Sequence, residues 1–405
     1  MNEYFKLAWR NIWRNKRRTI ITAGSIFFGV VLSAFMSSMQ EGSYAQYIKT
    51  IVNFYSGYIQ IHKNGYWNEK IINNTFKYSS INSILTKDSR ITSYTPRLEN
   101  YALASSEEIS KGVMVFGILP QKEDSITGLS KRIITGKYLV NSDSGIIVGS
   151  ELAKLMKLRV KDTLVLLSQG YHGVSAAGKY PVRGILKQPS PELDRTVIYM
   201  DIAKCQELFS ADDRLTAMVI MVKNNSEVKA VKSQLAISLG NEYEVMDWQE
   251  MNKILMKQID SDRASGIIIK GVLYMIIAFG IFSTIMMMTI ERRKEFAILI
   301  AVGMQKYKLG YVLVLETILL GLVGVTAGII LSIPLTWYFT FHPILLTGQA
   351  ADTMRQMGFE PVMAFSMIPS VYFNQALTIL IFTLVIGIYP VYQIFKLKIN
   401  QALHN

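Results

Sequence analysis

Four long apolar stretches restrict the folds that this sequence can adopt. They cover residues 19–39, 266–289, 309–341 and 375–395. At 1.5 Å per residue, each is long enough to cross a hydrocarbon core about 30 Å thick as a helix. Hydrophobic residues make up 50% of the 405 residues and are concentrated in these stretches. We therefore predict four transmembrane helices, of which the third is long enough to tilt or to end in an interfacial turn near Pro334.

The distribution of basic residues predicts the orientation of these helices. Lysines and arginines concentrate in residues 1–18, 290–308 and 396–405. The segment 342–374 contains only Arg355. The positive-inside rule therefore places both termini and the segment 290–308 in the cytoplasm. Anionic lipid next to these segments accounts for the net charge of +13, so nucleic acid is not an expected partner.

Residues 1–18 have the pattern of an amphipathic helix. One face carries Phe5, Trp9, Ile12 and Trp13, and the opposite face carries Lys6, Arg10, Arg14 and Arg17. Such a helix is expected to lie on the inner leaflet before the chain enters the bilayer. The apolar run that follows is too long for a cleaved signal peptide and lacks a small-residue cleavage site, which favours an uncleaved signal anchor.

Residues 40–265 form a predicted extracytoplasmic domain inserted between the first and second transmembrane helices. Short β-rich runs alternate there with helical stretches, which is typical of an α/β or α+β fold. Its last part, WQEMNKILMKQIDSDRAS, has helical periodicity and no breaker before the second apolar stretch. We expect one continuous helix there, which either transmits motion from the membrane or only packs on the domain.

The stretch GYHGVSAAGKYP, residues 170–181, resembles a phosphate-binding loop in part. Gly173, Gly178 and Lys179 have the spacing of G-x-x-x-x-G-K-[ST]. However, Tyr180 replaces the hydroxyl residue that ligates magnesium, and Pro181 follows where a helix should begin. The predicted location outside the cytoplasm also argues against a nucleotide, so a nucleotide site is disfavoured.

The sequence offers no constellation that supports catalysis. The four histidines are scattered without metal-ligand spacing, so no metal site is expected. The single cysteine, Cys205, cannot form an intrachain disulfide and is expected to be a small buried residue. We therefore expect a chain that is not an enzyme and that binds no cofactor itself.

The cytoplasmic segment between the second and third spans contains ERRKEFAILIAVGMQKYKLG. A solvated basic loop is one interpretation of it. Against this, residues 297–300 are too apolar to remain in water, and Phe296, Ile298, Leu299 and Val302 suggest one apolar face. We therefore favour a short amphipathic helix that docks into a groove of a cytoplasmic protein.

The third span carries a carboxylate and three regularly spaced glycines. Glu316 lies about two turns inside the span, where an ionised group is costly and must face protein or water. It is either a proton or substrate group, or a residue that snorkels or hydrogen-bonds between helices. Gly321, Gly324 and Gly328 recur at helical spacing, which lets another helix approach closely.

These features together resemble one family. The order of one span, a large outer domain and three further spans is similar to the ABC permease subunits that include LolC and LolE, MacB and FtsX. The matching motifs are WRNIWRNKRRTIIT at the first span, ERRKEFAILIAVGM in the cytoplasmic segment, Glu316 with its glycines, and IYPVYQIFKLKINQAL at the end. SGYIQIHKNGYW and SGIIVGSELAKLMKLRVKDTLVLL are most similar to the lipoprotein-releasing LolC/LolE branch.

The resemblance implies a multi-pass permease of a bacterial inner membrane with a periplasmic domain. Its implied partners are two copies of a cytoplasmic ABC ATPase, which uses ATP and Mg, a second permease copy or paralogue, an acylated lipoprotein substrate and a periplasmic lipoprotein carrier. The residues implied to contact the ATPase are Glu291, Arg292, Arg293, Lys294, Glu295, Phe296, Ile298, Leu299 and Gly303. A projecting loop implied to contact the carrier contains Gln169, Gly170, Tyr171, His172, Gly173, Gly178 and Lys179.

Two other functions within the family stay open. The chain could be a MacB-like efflux permease for peptides or amphiphiles, which would work with a membrane-fusion partner. It could also be an FtsX-like regulator that activates a cell-wall hydrolase without moving a substrate. The sequence separates the chain from MacB itself, because it contains no ATPase domain, and from FtsX by its larger outer domain.

Overall fold

The computed structural model describes residues 2–14, 16–106, 109–356 and 360–396. The chain divides into two compact units. The helical unit comprises residues 1–45, 258–345 and 362–405, and the α/β unit comprises residues 46–257 and 346–361.

Helices and strands are interspersed along the chain. The helices are α1 (Asn2–Arg14), α2 (Lys16–Ile51), α3 (Tyr66–Glu69), α4 (Ser79–Leu85), α5 (Pro120–Thr127), α6 (Ser150–Leu155), α7 (Pro191–Asp194), α8 (Ile202–Phe209), α9 (Val228–Leu239), α10 (Trp248–Met251), α11 (Lys253–Glu291), α12 (Arg293–Ala301), α13 (Lys306–Phe341), α14 (Gln349–Gln356) and α15 (Pro369–Phe395). The strands are β1 (Ile59–Lys63), β2 (Phe76–Lys77), β3 (Ile91–Ser106), β4 (Ile109–Ile118), β5 (Ile133–Gly136), β6 (Ile146–Gly149), β7 (Thr163–Gln169), β8 (Ser175–Leu186), β9 (Val197–Asp201), β10 (Arg214–Leu215), β11 (Ala217–Val222), β12 (Tyr243–Asp247), β13 (Ile344–Leu345) and β14 (Val362–Met363).

Within the described residues, four helices are long and apolar enough to cross a membrane: α2, α11, α13 and α15. They extend beyond the apolar stretches that the sequence marks. The third does not turn near Pro334, because α13 continues through that residue to Phe341. Around it, the hydroxyls of Ser332 and Thr336 donate to the carbonyls four residues earlier, at 2.7 and 2.8 Å. Such hydroxyl donation is one way in which membrane helices accommodate proline.

The glycines of α13 allow two other helices to approach closely. A Cβ on Gly324 or Gly328 would lie 2.7 Å from the Cβ of Ile26 or Val30 in α2. A Cβ on Gly321 would lie 3.0 Å from Leu380 in α15. The distances at Gly324 and Gly328 are too short for real side chains, so these two glycines are required where α13 crosses α2, and the contact at Gly321 is tight.

The α/β unit is built on a ten-stranded mixed sheet. The strand order is β12-β1-β11-β3-β4-β9-β6-β8-β5, and β7 pairs with both β3 and β8. The pairs β4–β9 and β6–β8 are parallel, and the others are antiparallel. Because β7 joins β3 to β8, the strands β3, β4, β9, β6, β8 and β7 form a closed ring. The predicted α/β character of this region is confirmed.

Cys205 lies in the core of the α/β unit, as expected from its isolation in the sequence. Its side chain is fully buried on α8 and contacts the carbonyl of Leu98. A Cβ on Gly117 of β4 would overlap Cys205, so the helix packs on the strand only because both residues are small. Burial raises the pKa of this thiol well above its usual range.

The helix expected to run unbroken from Trp248 is interrupted at Asn252. Asp247 and Glu250 form a reciprocal capping box that starts the short helix α10. Asn252 has a non-helical backbone, and its side chain donates to the carbonyl of Trp248 at 2.8 Å, which ends that turn. The long helix α11 begins only at Lys253. The expectation of continuity was therefore wrong for the first turn.

Strand β1 contains a buried, neutral histidine, His62. The Nδ1 atom of His62 donates to the carbonyl of Thr216 at 2.8 Å, so Nε2 carries no proton. Among the described residues, Nε2 has no hydrogen-bond partner, and the ring stacks on Tyr66. Burial, together with the charge of Lys70, lowers the pKa of His62 to about 3.

We expect this histidine to make the protein less stable in acid. Between its folded pKa of about 3 and an unfolded value of about 6.5, the unfolded chain binds the extra proton, so stability falls as pH decreases. The slope contributed by His62 is about 1 kcal/mol per pH unit below about pH 6. Thermal unfolding of wild-type and His62→Gln proteins from about pH 7 to about pH 5 measures it. Parallel pH profiles for the two proteins would contradict this assignment.

Candidate coupling site

The candidate site is built around the short helix α12, which two backbone breaks separate from its neighbours. Arg292 has φ −91° and ψ 5°, a non-helical backbone that separates the end of α11 from the start of α12. Gly303 has φ +109°, a conformation that strongly favours glycine, and it turns the chain toward α13. Both residues belong to the set predicted to contact the ATPase. The helix predicted in this segment is present between them.

One face of α12 is buried by the chain itself. Phe296 and Ala297 are almost fully buried and pack with Leu309, Leu313 and Ile394. Phe296, predicted to share one apolar face with Ile298, Leu299 and Val302, is instead buried, so the prediction is wrong for Phe296. The helix has apolar residues on two faces, so its sequence pattern alone did not show which face the chain covers.

The other apolar residues of α12 form an exposed surface. Ile298, Leu299 and Val302 are 53%, 40% and 83% exposed, respectively. We call these three residues the α12 ridge. The predicted charged residues Arg293 and Lys294 are also exposed on this helix. A helix that presents apolar side chains beside exposed cations is suited to bind the groove of another protein.

Glu316 is buried in α13 and forms an ion pair with Arg292. The guanidinium of Arg292 donates to both carboxylate oxygens, through Nη1 to Oε2 and through Nη2 to Oε1, the latter at 3.3 Å. Asn11 of α1 donates to Oε1 at 2.7 Å. The interhelical role proposed as one alternative for Glu316 is thus the one that these contacts show. Arg292, predicted to face a partner, instead faces the protein interior.

The ion pair extends to α1 through a second carboxylate. Glu295 lies 3.5 Å from Nε of Arg292 and accepts from Arg14 at 2.5 Å. This chain of contacts, Glu316–Arg292–Glu295–Arg14 with Asn11, joins α1, α12 and α13. We call it the polar network. Glu316 stands out in the sequence because an ionised carboxylate is costly inside a membrane. Its partners lie in distant segments, which the sequence does not identify.

Helix α1 packs on α13 through small and aliphatic residues. Ala8 and Ile12 are buried against Val312, Leu319 and Leu320. Ile12, predicted to share a face with the aromatic residues, therefore belongs to the buried side. Phe5, Trp9 and Trp13 are 48%, 43% and 47% exposed. These aromatic residues remain available to a membrane surface, as an amphipathic helix requires.

The stretch predicted as a projecting loop is mostly a β-hairpin. Residues 175–181 belong to β8, where Gly178 pairs with Leu166 and Lys179 pairs with Val165 of β7. The prediction of a loop is wrong for these residues, because pairing with β7 overrides their low β-propensity. The same pairing leaves no strand-to-helix junction for a phosphate-binding loop.

The remaining turn of this hairpin, residues 170–173, is held against the α/β unit. The backbone N–H of His172 donates to Asn73 at 2.8 Å, and Arg214 lies over the ring of Tyr171 at 4.1 Å. Gly170 is buried, and a Cβ there would overlap the carbonyl of Phe209. The turn is therefore a packed part of the unit, with His172 and Gly173 exposed at its surface.

Two family models match this chain over most of its length. The MacB-like periplasmic core domain matches residues 19–237, and the FtsX-like permease C-terminal domain matches residues 267–399. The chain therefore belongs to the family of ABC transporter permeases that includes FtsX, MacB and LolC/LolE, as the resemblance implied.

Relatives within this family share low sequence identity with the chain. The lipoprotein-releasing system transmembrane protein LolC of Xylella fastidiosa (strain 9a5c) is 26% identical over 259 residues, which is 62% of each chain. LolC of Neisseria meningitidis serogroup B is 22% identical over 256 residues, which is 61% of each chain. The matched region is thus less than two thirds of these relatives. The periplasmic region of MacB from Actinobacillus actinomycetemcomitans is 17% identical, with a TM-score of 0.37, over 52% of this chain and 97% of that structure.

Proposed function

We propose that this chain is the permease subunit of an ATP-driven complex that releases lipoproteins from the inner membrane of a bacterium. Membership of the permease family and the similarity to LolC proteins support this proposal. The observation that carries it is the α12 ridge, an exposed apolar surface on a short helix that the polar network anchors. In this proposal ATP and Mg are used by a separate ATPase, two copies of which bind the permease complex.

The orientation in this proposal follows from the basic residues. Helices α1 and α12 carry five exposed bases, Lys6, Arg10, Arg14, Arg293 and Lys294, which supports placing them in the cytoplasm. The α/β unit, formed mainly by residues between α2 and α11, would then be the periplasmic domain inserted between the first and second membrane helices.

The polar network provides a route for coupling in this arrangement. An ATPase that moves the α12 ridge would also pull on Arg292, whose ion pair with Glu316 and contact with Glu295 join α12 to α13 and α1. Buried charge pairs resist separation because each unpaired charge would be left desolvated. Movement of α12 is therefore expected to reach α13 and α1 together. Such movement would expel an acylated protein toward a periplasmic carrier, with a second permease copy or paralogue completing the complex.

We expect the double substitution Ile298→Asp/Val302→Asp to weaken ATPase binding strongly. Both side chains are exposed, so the helical unit should fold and insert normally, while two carboxylates would replace the apolar contact. The association with the ATPase should weaken by about tenfold or more. Co-purification of the ATPase with the tagged permease in mild detergent measures this.

The matched control replaces two equally exposed apolar residues of the α/β unit, as Val140→Asp/Ile237→Asp. This variant should retain the ATPase. Retention of the ATPase by the α12 variant as well would rule out the ridge as the docking surface.

The cargo requires a separate measurement on the same purified complex. Mass spectrometry that recovers acylated peptides with the ATPase would support lipoprotein release. Recovery of a membrane-fusion protein or a cell-wall hydrolase in place of acylated peptides would instead support the MacB-like or FtsX-like function.

A further inference from the structure

A cavity of about 680 Å³ opens beside the ends of α2 and α11 that lie nearest to α1. Its walls have two chemically different parts. Arg14, Lys16 and Arg17 line one part. Ile21 and Met287, which are 52% and 64% exposed, line the other. The volume is within the range of sites that hold small organic molecules.

The charged part of the cavity is positive overall. Three basic residues and one carboxylate, Glu291, line it, so three positive charges minus one negative charge leave a net charge of +2. In the described part of the chain, neither Lys16 nor Arg17 has a carboxylate oxygen within 4 Å of its charged group. Arg14 forms an ion pair with Glu295. The cavity therefore presents at least two cations that an anionic ligand could engage.

We propose that this cavity binds the phosphate-bearing headgroup of an anionic lipid, with an acyl chain along Ile21 and Met287. Lysine and arginine donate strong hydrogen bonds to phosphate oxygens, and basic pockets between membrane helices favour anionic headgroups. A zwitterionic lipid would bring a cation of its own toward the three bases, which would weaken its binding. A free phosphate would leave the apolar wall uncovered.

The lipid would also act on the polar network through Arg14. This residue lines the cavity and donates to Glu295, which in turn contacts Arg292. A phosphate in the cavity competes with Glu295 for the same guanidinium. Binding of anionic lipid and the strength of the Arg14–Glu295 contact are therefore coupled.

The test uses the full-length protein in detergent micelles, which removes the general attraction of a charged membrane surface. Native mass spectrometry counts the phosphatidylglycerol and phosphatidylcholine molecules that each protein retains, and titration gives their affinities. Wild-type protein should retain phosphatidylglycerol in preference to phosphatidylcholine. The double variant Lys16→Gln/Arg17→Gln should bind phosphatidylglycerol about 25-fold more weakly, at roughly fivefold for each of the two lost charges.

Two further variants make the result specific to the cavity. Lys6→Gln/Arg10→Gln removes two basic residues of α1 that do not line the cavity, and it should keep wild-type affinity. Met287→Trp fills the apolar part from an exposed position and should also reduce phosphatidylglycerol retention.

Three results would overturn the proposal. They are equal retention of the two lipids by the wild-type protein, equal losses in the Lys16/Arg17 and Lys6/Arg10 variants, and saturation of the site by inorganic phosphate with no gain from phosphatidylglycerol. The measurement needs no ATPase and no cargo, so its failure would leave the proposed function untouched.

Discussion

Replacing Glu316 by alanine is expected to destabilise the helical unit by about 3–5 kcal/mol. The carboxylate is almost fully buried and is the acceptor for both Arg292 and Asn11. Its removal leaves a buried guanidinium whose remaining acidic neighbour, among the described residues, is the more distant Glu295. Unfolding of the purified protein by titration with SDS measures this loss.

A double substitution separates the charge effect from a simple loss of packing. Arg292→Met/Glu316→Met removes both charges and keeps apolar volume, so it should be clearly more stable than Glu316→Ala. The exposed ion pair Asp352–Arg355 provides the control, because Asp352→Ala removes a carboxylate from a solvated pair and should change little. If Glu316→Ala behaved like Asp352→Ala, the polar network would not stabilise the fold.

The second large effect is expected for Gly324→Leu. A Cβ at this position would lie 2.7 Å from Ile26 and 2.9 Å from the carbonyl oxygen of Ala23, and the remaining atoms of leucine have no space. Helices α2 and α13 must separate to accept it, at a cost of about 3 kcal/mol. The same SDS titration measures this cost.

Gly280→Leu is the matched control for this substitution. Gly280 also lies within a membrane-spanning helix, α11, but a Cβ there meets nothing within 4 Å. This variant should be as stable as the wild-type protein. A similar loss in both variants would show that leucine acts through the helix backbone and not through packing between α2 and α13.

The general architecture could be predicted from the sequence because it depends on strong, local signals. Runs of apolar residues identify membrane helices by length alone, and alternating short strands and helices indicate an α/β domain. Because an ionised carboxylate is energetically costly inside a membrane, the sequence also predicts that Glu316 needs a polar environment. These signals do not depend on which segments of the chain meet.

The details of the site depend on contacts between distant segments, which the sequence pattern does not specify. Arg292, Arg293 and Lys294 are consecutive bases, and only the turn between α11 and α12 directs the first of them toward Glu316. Phe296 is buried because Leu313 and Ile394 happen to lie beside it. Gly178 lies in a strand because β7 pairs with it. Each of these outcomes is decided by tertiary packing that overrides local propensity.

The closed ring of strands in the α/β unit has a mechanical consequence. In an open sheet, one strand can slip past its neighbour by breaking a single ladder of hydrogen bonds. In the ring, β7 is held by both β3 and β8, so a slip at one ladder requires a compensating shift around the whole circle. Within the described residues, each ring strand pairs on both sides and so offers no free edge to which unfolded chains could add. A domain built on such a ring would thereby resist both shear and unwanted strand exchange.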